Sequence, residues 1–411
     1  MRILFIHQNF PGQFKNLAPA LAKDPKNEVV VLTINQCPNQ DRIRVINYKP
    51  TRGTTPNMHP WVSDFETQTI RGEAAFRAAL KLRDEGFTPD IIIAHPGWGE
   101  SMFLKDVWPK AKLGIYCEFF YHADGYDVGF DPEFPTTDPG NVCRLRLKNV
   151  NNLVHFQSAD AGISPTHWQA STFPKAFRRH ITVIHDGIDT QAIQPNPNAS
   201  LTLNNNLVLS RQDEIVTFVN RNLEPYRGYH TFVRALPSLL KQRPNARVLI
   251  VGADDVSYGS RPPQGKKWRD IFFDEVKDQI DLSRVHFVGH IPYQYFIPML
   301  QLSTVHVYLT YPFVLSWSLL EAMSAGCSIV ASDTPPLHEA IRPNETGRLV
   351  SFFDPLALAN EIADLLANPE ERQRLGANAR EFAIKNYDLK TVCLPRQLAW
   401  AKQLKNGRAF T

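Results

Sequence analysis

Hydrophobic residues along this chain gather in short runs rich in Val and Ile, separated by longer stretches in which apolar and polar positions alternate with helical spacing. In the first half the runs are RILFIH, EVVVLTI, DIIIAH, LGIYCEFF, AGISP and ITVIHDG. Runs of this length predict buried strands, and the amphipathic stretches between them predict crossover helices. Strand, helix, strand repetition closes by right-handed crossovers into a parallel sheet with helices on both faces. After Ile188 the rhythm lapses into QAIQPNPNASLTLNNNLVLSRQDE, which is rich in Pro and Asn, has no periodicity and predicts a linker.

A second series follows: EIVTFVN, ARVLIVG, RVHFVGH, TVHVYLT, CSIVAS and GRLVSF, with helical segments such as HTFVRALPSLLKQ and LALANEIADLLANPEERQRLGANAREFAIKNY between them. The fold class is therefore α/β, with two doubly wound, Rossmann-like halves. The expected domains are 1–195 and 205–385, and 386–411 is expected to form a last helix and tail crossing back toward the first domain. Ligands of such sheets bind beyond the carboxyl ends of the strands, so a central cleft faced by the two halves is expected.

Composition narrows the classes. Over 411 residues, 43% hydrophobic and 21% charged residues exclude extended disorder. A net charge of +4 is too small to make nucleic acid the main partner. Cys37, Cys117, Cys143, Cys327 and Cys393 are scattered and fit reduced thiols rather than a disulfide frame or zinc site. The opening MRILFIHQ is too short for a signal peptide, and no run approaches the roughly 20 apolar residues of a spanning helix, so a cytoplasmic protein is expected. CRLRLKNVNNLV at 143–154 and FPKAFRRH at 173–180 interleave bases with apolar residues. That pattern suits a solvated helix face or peripheral contact with the inner face of a membrane.

The chain lacks G-x-G-x-x-G after its first strand, G-x-x-x-x-G-K-[ST], H-E-x-x-H and G-x-S-x-G. It also lacks an Asp-x-Asp pair to clamp a divalent ion on a diphosphate, so no metal site is expected. A bound diphosphate would need side-chain cations and helix N-termini. In FVNRNLEPYRGYHTF, Arg221 ends a strand and Arg227 precedes Gly228, on a loop where guanidinium groups can grip phosphate oxygens or simply face solvent. In YPFVLSWSLLEAMSAGCSIVAS, a turn at Ser316, Trp317 and Ser318 opens a short helix whose free N–H groups suit an anion. Glu321 lies one turn in. It is either a ligand-binding acid or the N3 partner of Ser318 in a capping box.

Together these segments resemble the GT-B glycosyltransferases of family 4. The resemblance rests on RILFIHQNFPGQF, on VIHDGID at 183–189, which is similar to the family's VIPNGVD, on NRNLEPYRG at 220–228, which is similar to GRLxxEKG, and on LLEAMSAGCSIVASD. It implies a retaining, metal-independent transfer of a sugar from a nucleotide diphosphate sugar to a hydroxyl acceptor, with no further cofactor. It also implies an acceptor-binding first domain and a nucleotide-sugar-binding second domain. Arg221 and Arg227 would bind the donor diphosphate, and Glu321 would bind the ribose as the second acid of E-x7-E. N–H groups around Ser316, Trp317 and Ser318 would add to the phosphate site. Gly12 would let backbone approach the donor, and Ile291, in His290-Ile291-Pro292, falls where the family holds the base. The chemistry implied is stabilisation of the departing diphosphate by preorganised positive charge.

One departure is plain: the position eight residues before Glu321 is Phe313, so the first acid is missing. On the acceptor side the candidates are His95 in IIIAHPGWGES and Glu118 or His122 in LGIYCEFFYHADGYD, each equally readable as a hydrogen-bonded loop residue. The segment 253–276 is longer than the family's turn at that point, and reads as a loop over the site or a surface insertion. Expected partners are the donor and a saccharide or lipid-linked acceptor. The other readings are a sugar-nucleotide epimerase, which needs acids the chain does not offer, a phosphorylase, which needs a cofactor lysine, and a non-catalytic nucleotide-binding or interaction module.

Overall fold

The computed structural model describes residues 1–38, 40–203 and 207–407; the last residues of the expected tail, 408–411, lie outside them. The chain forms two compact units, Met1–Gly187 with the segment from Lys390 onward, and Ile188–Leu389.

The first unit is a seven-stranded parallel sheet of β1 (Arg2–Ile6), β2 (Glu28–Thr33), β3 (Ile43–Asn47), β4 (Ile91–Ala94), β5 (Lys112–Tyr116), β6 (Ala161–Ser164) and β7 (Ile181–Val183) in the order β3-β2-β1-β4-β5-β6-β7. Ile3, Leu4, Phe5 and Ile6 are fully buried, as expected of a strand covered by helices on both faces. The helix Leu394–Asn406 packs into this unit and puts Trp400, Ala401 and Leu404 in its core. Gly114 of β5 makes room for it: a Cβ there would lie 2.5 Å from the Trp400 ring.

The second unit opens with an antiparallel hairpin, β8 (Ser200–Thr202) and β9 (Val208–Ser210). Its main sheet is β10 (Ile215–Asn222), β11 (Arg247–Ala253), β12 (Val285–Gly289), β13 (Val305–Tyr308), β14 (Ser328–Ser332) and β15 (Arg348–Val350), ordered β12-β11-β10-β13-β14-β15. Counted within each main sheet, the second runs 3-2-1-4-5-6 and the first has the same order with a seventh strand added at its end. That doubly wound order reverses beside the first strand, and this is where such sheets bind ligands.

Two details depart from the sequence reading. The stretch read as a linker belongs to the second unit: Ile188, Ile193, Ala199 and Leu209 are buried in its core. They stand singly among Pro and Asn, so no periodicity shows them. The long helical segment is two helices, Pro355–Ala367 and Pro369–Tyr387. Asn368 precedes Pro369, whose ring drives it out of the helical region, to φ −120° and ψ 83°. No described helix is long and apolar enough to cross a membrane, and the five cysteines are free.

Candidate functional site

In the second unit the candidate residues gather at the carboxyl ends of the neighbouring strands β10 and β13. Arg221, the penultimate residue of β10, is exposed and has no hydrogen-bond or ion-pair partner among the described residues. Arg227 is placed differently. The turn Pro225–Arg227 closes on Gly228 at φ +69°, where a Cβ would meet Leu309 at 2.4 Å, and this buries Arg227 to 6% exposure. Its Nη1 donates to Thr310 Oγ1 at 2.7 Å, to the Val314 carbonyl at 3.1 Å and to the Tyr308 hydroxyl at 3.4 Å. Burial alone would lower its pKa, but Tyr308, Tyr258 and Tyr226 outweigh it and hold the charge. The two arginines read as a pair are thus a solvent-facing cation and a brace inside the 309–316 loop.

That loop ends at Ser316, whose N–H donates to the Tyr308 hydroxyl at 2.9 Å and whose Oγ accepts from the Ser318 N–H at 3.3 Å. Ser316 is therefore the cap of the helix Trp317–Ser324. A capping-box acid belongs three residues after the cap, which is Leu319; Glu321 lies beyond it, so the capping-box reading fails on position. Glu321 is 6% exposed and accepts a 2.7 Å hydrogen bond from the Tyr293 hydroxyl. Burial, then the Glu321 charge, pushes the Tyr293 phenol up, so it stays a donor. Ile291 lies two residues earlier, partly buried against the core beneath.

Phe313, at the place of the missing acid, is buried in an aromatic cluster, edge-on to Tyr226 at 5.2 Å and 5.1 Å from Tyr258. Tyr258 comes from the 253–276 segment, and the Arg227 guanidinium lies 5.2 Å from its ring centre. Buried Glu224 fixes that segment by accepting the N–H groups of Ser257, Tyr258 and Gly259 at 3.0 to 3.2 Å. No local sequence signal marked Glu224 or Tyr258, because their contact joins positions some 35 residues apart.

In the first unit, His7 follows β1. Gly12, at φ +46°, faces it so closely that a Cβ would lie 2.3 Å from the ring, so the glycine's immediate role is to admit the imidazole. His7 Nδ1 accepts the Asn9 N–H, so the proton sits on Nε2 and is donated to Gln13 Oε1 at 2.8 Å. Gln13 Nε2 then donates to Glu118 Oε1 at 3.4 Å. On the other side, His95 Nδ1 accepts the Gly97 N–H, and its Nε2 lies 3.5 Å from Glu118 Oε2. The Glu118 side chain remains 43% exposed. Burial, with the nearby His95, lowers the His7 pKa to about 4, so it is neutral at physiological pH. Behind this group Glu100 is fully buried and accepts from the Tyr48 hydroxyl at 3.3 Å. His122 stands apart: its ring stacks on Tyr126 at 4.1 Å and Nε2 donates to the Thr172 carbonyl. The sequence reading found His95 and Glu118 but missed His7 and Gln13, although the PGQ turn that carries Gln13 was in view.

Comparison with known proteins bears on the family and the fold. The profile "Glycosyl transferase family 4 group" matches residues 25–193, and "Glycosyl transferases group 1" matches residues 203–382. The chain is 29% identical over 311 residues to D-inositol 3-phosphate glycosyltransferase of Corynebacterium efficiens, covering 73% of this chain and 68% of the relative. It is 24% identical over 442 residues to glycogen synthase of Mycobacterium tuberculosis, covering 95% and 92%. Two solved structures share the fold. Sucrose-phosphate synthase from Thermosynechococcus elongatus has a TM-score of 0.73 at 20% identity over 99% of this chain and 100% of that one. Anabaena HepE, solved with UDP-glucose, has a TM-score of 0.69 at 16% identity over 98% and 99%.

Proposed function

Because the chain belongs to the GT-B glycosyltransferases, with a family 4 group segment followed by a group 1 segment, we propose that it moves a sugar from a nucleotide diphosphate sugar to the hydroxyl of a saccharide or lipid-linked acceptor, with retention and without a metal at the diphosphate, in polysaccharide or glycoconjugate assembly. The observation that carries this is Arg221, an exposed guanidinium without a partner among the described residues at the end of β10, next to the strand whose loop presents the capped start of the helix Trp317–Ser324. A diphosphate held there meets a bidentate cation and the positive end of that helix, although the Ser316 and Ser318 N–H groups are already engaged by the Tyr308 hydroxyl and by Ser316 Oγ. Negative charge grows on that diphosphate as the anomeric C–O bond breaks, so fixed positive charge stabilises the transition state more than the ground state.

In this scheme Arg227 keeps the 309–316 loop in place, while Glu321, oriented by Tyr293, takes the ribose hydroxyls. Glu118, steered by Gln13 and His95, accepts the hydrogen bond of the acceptor hydroxyl. The position of Phe313 inside an aromatic cluster favours one second reading, a chain that binds nucleotide without turnover. Thermal unfolding with UDP, GDP and ADP, with and without EDTA, tests the donor site. A nucleotide at 100 times its Kd adds about 2.7 kcal/mol, and EDTA should leave the shift intact. Donor consumption over a pool of acceptors then separates an enzyme from a binder. The absence of a shift with any nucleotide would sink the proposal.

A further inference from the structure

On the second unit, a groove of about 690 Å³ is lined by Arg211, Arg372 and Arg380, with Pro195, Pro369 and Ile384 as apolar walls. Arg234, Arg243, Arg284, Arg342, Arg348 and Arg374 of the same unit each have a carboxylate within ion-pair distance. The three arginines of the groove have none among the described residues. Each is held instead by main-chain carbonyls at the end of a different helix. Arg211 Nη1 donates to Gln301 and Ser303 at 2.9 and 3.3 Å, after the helix Tyr293–Leu302. Arg372 Nη1 donates to Leu365 and Leu366 at 2.7 and 2.6 Å, at the end of Pro355–Ala367. Arg380 donates to Ser324, the last residue of Trp317–Ser324, and to Ile193 at 3.0 Å and Thr190 at 3.2 Å.

These contacts fix the side chains without neutralising them. A helix C-terminus carries about half a negative charge, so three of them leave roughly +1.5 on the arginines, and roughly +0.5 in the groove once the Glu381 carboxylate is counted. Glu381 also lines it and forms no ion pair with any of the three. Nε and Nη2 of both Arg211 and Arg372 donate to no acceptor among the described residues, which leaves guanidinium edges for an incoming anion. Burial and the neighbouring Arg243 and Arg211 charges lower the Arg372 pKa against the pull of Glu214. The helix Pro369–Tyr387 comes close enough to shape the groove because Gly376 lies against Gly326, where a Cβ would meet the Gly326 carbonyl at 2.4 Å.

We propose that this groove is a binding site for a phosphorylated small molecule of about monosaccharide size, its phosphate monoester held by Arg211, Arg372 and Arg380 and its body against the proline and isoleucine walls. The volume lies in the range of small-ligand sites, and a phosphate accepts bidentate bonds from planar guanidinium groups.

The test is calorimetric titration of the full chain with ribose 5-phosphate, inorganic phosphate and ribose at matched ionic strength. Ala377→Glu and Gln373→Glu each put a carboxylate on an exposed position of the groove without disturbing a hydrogen bond. Arg221→Gln is the control for the donor site. Ribose 5-phosphate should bind the wild type, ribose should not, either carboxylate should weaken binding at least tenfold, and Arg221→Gln should leave it within twofold. Four results would overturn the assignment: no binding of the phosphate ester, equal binding of ribose, indifference to both carboxylates, or loss in Arg221→Gln. A response to phosphatidylglycerol vesicles with none to the free ester would assign the groove to a membrane headgroup and overturn it as well. If one variant unfolds, the other carries the comparison.

Discussion

Replacing Arg227 by Met and Arg221 by Gln should separate two roles that the sequence presents as one. Arg227 Nη1 has two hydrogens for three acceptors, so its strong bonds are those to Thr310 at 2.7 Å and Val314 at 3.1 Å. At about 1.5–3 kcal/mol for each bond to a charged donor, plus about 1–2 kcal/mol for the cation over Tyr258, the gross loss is about 4–8 kcal/mol. The methionine is apolar and of similar length, and it recovers part of this by burial. The expected net cost is about 3–5 kcal/mol. For a unit of this size a kcal/mol shifts Tm by roughly 2–4 °C, so Arg227→Met should melt about 10 °C below wild type in the second unit's transition and should lose nucleotide response because the loop leading to Ser316 loosens. Arg221, exposed and without a partner among the described residues, should cost less than about 0.5 kcal/mol as Gln yet lose the nucleotide shift. Differential scanning calorimetry with and without nucleotide reads both effects. Equal melting of the two variants, or a full nucleotide response in Arg221→Gln, would refute the division of labour.

Other expectations are equally direct. Burial pushes Glu100 from 4.5 up to about 7. Its native state holds the proton more tightly than the unfolded state, so the contribution is complete below pH 4.5 and lost as pH rises to 7, a swing of roughly 3 kcal/mol. Glu100→Gln should remove that swing and gain on wild type between pH 5 and 8 in urea melts; parallel curves would count against it. His7, His155 and His306 have pKa values lowered to about 4 by burial. Their stability is full above pH 6.5 and lost as pH falls to 4, so acid unfolding should begin between those limits, and a wild type stable at pH 3.5 would contradict this. Glu118→Gln should reduce turnover at least tenfold while leaving nucleotide binding unchanged, and a lost thermal shift would place Glu118 on the wrong ligand. Gly114→Ala should destabilise the first unit by more than 2 kcal/mol, because its Cβ would lie 2.5 Å from the Trp400 ring.

The strands were legible because a strand covered on both faces must be apolar at every position, as Ile91–Ala94 is. The clustering of Arg221, Ser316 and Glu321 was suggested too, since each sits in a short segment that ends a strand of the second sheet or opens the next helix. What stayed hidden depends on contacts distant in sequence. Arg227 reads like Arg221 until the chain between 308 and 314 folds over it, and nothing near Glu224 announces that its carboxylate will hold Tyr258. The His7, Gln13 and Glu118 chain joins residues up to 105 positions apart. Ile193 and Leu209 are ordinary core residues in a setting that looks like linker, because a core needs burial and not periodicity.

The return of the C-terminal helix to the first unit bears on the order in which the protein can be made. The ribosome delivers β1 to β7 first, yet the tryptophan that fills the space above Gly114 is residue 400. The second unit emerges whole in between, so its core can close while the earlier sheet still waits with an apolar face uncovered. Domains fold as their chain becomes available, and here the part synthesised first is the part completed last. A nascent chain stalled before Leu394 would present that open face to chaperones, and a fragment of residues 1–187 would carry the same defect permanently.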